Sequence, residues 1–367
     1  MNANRVYGLD ILRTLAIVFV VFSHLSVLLF PQIGPELLTP IFGYLGVELF
    51  FVLSVFLIGT IIIKEFFEES TSSWKKLKIF WVRRWFRTLP TYYLVLIIDA
   101  VLSCVVFKNK LIPQFPFYFI FLQNLLSPHP IYFMIAWSLA IEEWFYFTFP
   151  IIVLVLTFSL KPANKSSTII YTIILYQIVC LGLRIYFSNQ TFSDEWDAGF
   201  KRVTLFRLDA ISFGVLLAVL KMKFGELFYK FKRVSAVVGL IVLIAMCCLL
   251  IQKLEGNIDT PFFFKTIFFT LVSFSITLLF PFFDSIKSFS KNSIFEKLFT
   301  NISTYSYSIY LIHMLVKLTL MQVLSRLSIH NSMLQFYIIL FATYFVAQLL
   351  YKWFEKPTTD LRNRFDK

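Results

Sequence analysis

Long apolar runs decide what this chain can become. Ten of them, at residues 9–30, 43–63, 88–107, 137–160, 168–187, 205–220, 234–251, 264–283, 305–324 and 334–351, are mostly hydrocarbon in character. Crossing a bilayer takes roughly 20 such residues as a helix. No water is present there to satisfy peptide groups, so an exposed crossing cannot be irregular. The expectation is an all-α polytopic membrane protein with about ten transmembrane helices, the sixth being the shortest. Another run, 117–126, lies between Pro116 and Pro128 and is too short to cross, so it reads as a re-entrant or interfacial segment. The first run has no small-residue cleavage signature after it and reads as a retained span. No interval between runs reaches the size of a soluble domain, so 1–367 reads as one membrane domain.

Charge placement excludes one function class and suggests an orientation. Only 15% of the residues are charged, against about a quarter in soluble domains. The net charge of +13 would suit nucleic acid if it were gathered on a soluble surface. Here the cations sit mostly between apolar runs, so the expected partner is the lipid bilayer and not nucleic acid. With both termini cytoplasmic, 23 basic residues fall on the inner side and six outside, a strong positive-inside bias. Cys104, Cys180, Cys247 and Cys248 all lie in apolar runs and form no metal or disulfide spacing.

Against this background the polar residues inside the runs stand out. Arg13 and His24 are eleven positions apart, about 20° past three turns, so they share one face of the first helix. An ionisable residue inside a span is costly and points to function, although a neutral histidine bonded to a neighbouring helix is the plain alternative. Arg83, Arg84 and Arg87 stand at the cytoplasmic mouth of the third span. They suit either a topological anchor or a forked phosphate site. Glu142 and Glu143 open the fourth span, and Ser138, Glu142 and Tyr146 share a face by i, i+4 spacing. Arg207 and Asp209 open the sixth. Ser306, Tyr310 and His313 share a face of the ninth.

The segments that hold these residues resemble the acyltransferase-3 family of integral membrane acyltransferases. They are YGLDILRTLAIVFVVFSH, GYLGVELFFVLSVFLIG, RRWFRTLP, WSLAIEEWFYFTFP, FRLDAISFG, SYSIYLIH and the terminal FEKP. By that resemblance Arg13 and His24 match the family's Arg-x10-His pair, and Arg84 with Arg87 its Arg-x-x-Arg pair. Where the family usually has glycine after Ser54, this chain has Val55.

The resemblance implies an acyl-CoA donor, usually acetyl-CoA, taken from the cytoplasm across a bacterial plasma (inner) membrane, with no metal. The acceptor it implies is a hydroxyl of an extracytoplasmic or lipid-linked glycan, lipopolysaccharide O-antigen among them. Arg13, Arg84 and Arg87 are then expected to hold the phosphates of coenzyme A. His24 is expected to act as general base or acyl carrier, with Glu142 or Glu143 orienting its imidazole. Arg207, Asp209, Ser138, Tyr146 and His313 are expected on the acceptor side. The competing class is a transporter or flippase, which also places ionisable groups on inner helix faces.

Overall fold

The computed structural model describes residues 5–63, 74–106, 108, 110–161, 167–190, 196–258, 261–288 and 293–362. Of the cations counted for orientation, Lys64, Lys165, Lys291, Arg364 and Lys367 lie outside the described residues. The helices in order are α1 (Tyr7–Leu29), α2 (Thr39–Ile63), α3 (Trp74–Val105), α4 (Ala136–Leu160), α5 (Ser167–Phe187), α6 (Leu208–Lys223) and α7 (Gly225–Lys230). They continue as α8 (Lys232–Leu254), α9 (Pro261–Lys265), α10 (Ile267–Asp284), α11 (Ile294–Arg326), α12 (Ser332–Leu350) and α13 (Lys356–Asp360). No strand occurs among the described residues.

Nine helical stretches among the described residues are long and apolar enough to cross a membrane. The tenth expected span corresponds to α6, whose 16 residues rise only about 24 Å, short of the hydrocarbon layer. Most of α6 is buried by α4, α5 and α10, so its ends need not reach both interfaces through lipid. Two helices start well before their apolar runs, α3 at Trp74 and α11 at Ile294. Hydropathy marks only the hydrocarbon part of a helix. Polar residues can extend it into the headgroups and water, and Arg83, Arg84 and Arg87 lie inside such an extension. The run at 117–126 forms no crossing helix. It holds the end of a 3₁₀ turn (Phe115–Phe119) and then turns, tied down where Trp144 Nε1 donates to the Phe121 carbonyl at 2.9 Å.

The chain divides into two compact units that interleave in sequence. The first holds residues 1–9, 48–78 and 114–287, and the second holds 10–47, 79–113 and 288–367. Within the first, α6 packs closely on the part of α2 that follows Glu48. A Cβ on Gly214 would stand 2.5 Å from the Val52 carbonyl oxygen and 3.0 Å from the Val55 Cβ. The glycine that the family pattern has after Ser54 is thus replaced here by Val55, and the bare position faces it from α6. Within the second, α1 meets the start of α2 in the same way, because a Cβ on Gly46 would lie 2.7 Å from the Ala16 carbonyl oxygen. Backbones this close gain van der Waals contact where lipid offers no hydrophobic drive between helices.

Candidate functional site

In the second unit α1 and α11 are joined by polar side chains along their length. Ser303 donates to Asp10 Oδ1 at 2.6 Å, Arg13 donates to Ser303 Oγ at 3.4 Å, and Thr14 donates to the Phe299 carbonyl at 2.9 Å. Further along the same pair of helices, the His24 and His313 rings face each other with centroids 5.2 Å apart. Lys317, one turn beyond His313, donates to the His24 carbonyl at 2.6 Å.

The tautomer of His313 follows from chemistry. Its Nδ1 lies 2.7 Å from the Tyr310 carbonyl, which can only accept, so Nδ1 carries the proton. That leaves Nε2 with the basic lone pair, buried and without a hydrogen-bond partner. His24 itself is half-buried. On α3, Arg84 is buried and Arg87 exposed, and Tyr307 of α11 donates to the Thr88 carbonyl at 2.8 Å. Ser308 of α11 donates to the buried Glu355 of the FEKP segment.

The first unit holds the remaining predicted residues. Glu142 Oε1 accepts from Ser54 at 3.2 Å, and Glu143, Ser138 and Tyr146 are buried on α4. Arg207 and Asp209 are fully buried, each in an ion pair. Arg207 pairs with Glu48, whose other oxygen accepts from Ser273 at 2.7 Å. The Arg207 guanidinium also lies over the Phe269 ring at 4.2 Å. Asp209 receives both arms of Arg184, at 3.0 and 2.8 Å, with Thr270 completing its shell at 3.0 Å.

In the loop before α4, burial and the Arg202 charge push the His129 imidazole down to about 3, so it is neutral at ordinary pH. Among the described residues no group of three or more His, Cys, Asp or Glu side chains is arranged to hold a metal ion.

Several of these partners were not singled out from sequence. Glu48 had a usable signal, being the lone carboxylate inside an apolar helix. Lys317 had another, an i, i+4 spacing from His313. Arg184 had the same signal as Glu48, being the lone charge of α5, whereas Asp10 and Ser303 gave none, since nothing local identifies partners that lie far along the chain.

The chain's likeness to known proteins agrees with this polar architecture. A family model described as an acyltransferase domain, that of acyltransferase family 3, matches residues 6–352. The chain is 32% identical to the O-acetyltransferase OatA of Staphylococcus aureus strain NCTC 8325 over 192 residues, 48% of this chain and 29% of that protein. It is 29% identical over 226 residues to a protein of S. aureus strain COL named "Putative O-acetyltransferase", covering 58% of this chain and 34% of the other. The matches thus span about a third of the length of these relatives. No solved structure matches the chain. A match over nearly the whole length, on a bundle of apolar helices with ionisable groups turned inward, makes this a multi-pass membrane protein that belongs to the acyltransferase-3 family.

Proposed function

We propose that this protein is a membrane O-acetyltransferase. It would move an acetyl group from cytoplasmic acetyl-CoA to a hydroxyl of a cell-surface or lipid-linked glycan, lipopolysaccharide included, at a bacterial plasma membrane with both termini inside. The observation that carries the reading is the facing pair of imidazoles, His24 and His313, within membrane-crossing helices. Ionisable groups inside a bilayer segment are costly and point to function, and the family and its relatives supply the class of reaction.

The proposed chemistry uses each polar group once. Arg84 and Arg87, with Arg13, hold the phosphates of coenzyme A, for which forked guanidinium donors suit phosphate oxygens. His24 takes the proton of the acceptor hydroxyl while that oxygen attacks the thioester carbonyl. The carbon–sulfur bond breaks, the acetyl ester forms, and the proton passes to the departing coenzyme A sulfur. His313, with its tautomer set by the Tyr310 carbonyl, keeps a basic Nε2 beside that exchange. Glu142 and Glu143 take part through their carboxylates. Arg207 and Asp209 act on the acceptor from within their ion pairs, as positioning groups.

The test is mass spectrometry of surface glycans from cells with and without the protein. An ester-linked acetyl group, removable by mild base, should be present only with it. Identical glycans would refute the reading.

A further inference from the structure

Lys317 is a cation that the proposed chemistry leaves without a role. It lies on α11 one turn after His313, and its Nζ donates to the His24 carbonyl oxygen on α1 at 2.6 Å. The apolar run that holds it continues to Leu324, about 10 Å farther along the helix. A charge is costly at such a position, and a long lysine ordinarily turns its ammonium to the nearest interface. This one turns to a neighbouring helix instead, is half-buried, and makes no ion pair among the described residues. A neutral amide or hydroxyl makes the same bond to a carbonyl, so the bond alone does not account for the charge.

Its place sets what the charge can act on. On α1 the cation Arg13 is eleven residues, about 16 Å, from His24. On α11, Lys297 and Arg326 are about 24 and 20 Å of helix rise from His313. Lys317 is thus the cation of these two helices nearest the facing imidazoles, whose centroids are 5.2 Å apart. An ammonium has three donors, and the His24 carbonyl takes one of them.

We propose that Lys317 is a further catalytic residue, the donor that holds the oxyanion formed during acyl transfer. The inference rests on the acetyl-CoA reading given above and adds the group that stabilises its developing charge. When the acceptor oxygen bonds to the thioester carbon, the carbonyl π electrons move onto the carbonyl oxygen, and His24 holds the acceptor's proton. The remaining Lys317 N–H groups donate to that oxygen. The electrons then re-form the carbonyl, the sulfur leaves with the bonding pair, and the proton passes to it. Lys317 keeps its own protons throughout. A fixed cation between apolar helices stabilises such charge far more than it would in water.

The test compares Lys317→Gln, which offers an N–H donor to the His24 carbonyl without the charge, with Lys317→Arg, which keeps both. Each purified full chain is assayed with labelled acetyl-CoA and, as acceptor, cell-surface glycan stripped of its esters by mild base. Lys317→Gln should lower kcat by roughly 10²–10³-fold, the loss that follows removal of one oxyanion donor. KM for acetyl-CoA should not change, because the contact is made only in the transition state. Lys317→Arg should recover most of the rate, and Lys317→Met carries the test should the Gln variant fail to fold. A neutral variant with kcat within about threefold of the natural protein would overturn the proposal. Equal losses in the neutral and Arg variants, with a raised KM, would do the same and leave Lys317 as a joint between helices. Absence of labelled ester with the natural protein would overturn the acetyl-CoA reading itself.

Discussion

Replacing Glu48 should expose how much of the first unit rests on its buried charges. Glu48 and Arg207 are fully buried and paired, and Ser273 donates to the second Glu48 oxygen. Glu48→Ala leaves a guanidinium in the bundle without its counter-charge, a change that costs about 3–5 kcal/mol when one partner of a buried pair is removed. Glu48→Gln keeps the shape and an acceptor for Arg207 but removes the charge. It should cost about 1.5–3 kcal/mol, the worth of a charge-assisted hydrogen bond. The double variant Glu48→Met/Arg207→Met removes both charges and should return to within about 1 kcal/mol of the natural protein, because apolar replacement of a buried pair is often neutral or better. Reversible unfolding in mild detergent, read as a double-mutant cycle, gives the coupling. Single variants that each cost under about 1 kcal/mol, with effects that add in the double, would refute the argument.

Four further outcomes follow from the same reasoning. His24→Ala should abolish acetyl transfer while the protein still purifies as a folded species, and full activity would remove it as the base. His313→Gln should lower kcat by up to roughly 10²-fold, the cost of misplacing the groups that react, with little change in KM for acetyl-CoA. Arg84→Gln with Arg87→Gln should weaken acetyl-CoA binding at least roughly tenfold and reduce its salt dependence; unchanged affinity would make them anchors only.

The fourth concerns pH. His129 titrates near its ordinary 6.5 when unfolded and near 3 when buried, so the unfolded chain binds the extra proton between those values. Stability of the 114–135 loop should therefore be complete above pH 6.5 and fall by about 1.4 kcal/mol per unit below it. Hydrogen exchange across that loop should show the loss, and His129→Gln should flatten it.

Fold class was legible because hydrocarbon thickness sets the length of an apolar run, and those lengths survive in the sequence without any partner in view. The ends were not. Hydropathy stops where lipid stops, while the helical hydrogen-bond ladder does not, so α3 and α11 begin a turn or more before their apolar parts. The sequence marks the sixth run as the shortest span, but not the burial of α6 by neighbouring helices, which leaves no local mark. At the candidate site the shared face of Arg13 and His24 followed from helical periodicity. The meeting of His24 with His313 did not, because the two are far apart in the chain and only packing joins them. Arg207 and Asp209 were visible as ionisable groups, yet Glu48 and Arg184, which neutralise them, depend on long-range contacts.

The central claim is covalent transfer of an acyl group, and labelled acetyl-CoA tests it most directly. Purified protein in a bilayer mimic is incubated with the labelled thioester and a glycan acceptor, and the glycan is then analysed. Label joined to the glycan through a base-labile ester, with release of free coenzyme A, is the predicted result. Unlabelled glycan with intact thioester, or movement of solute across the bilayer without any new ester, would contradict the account.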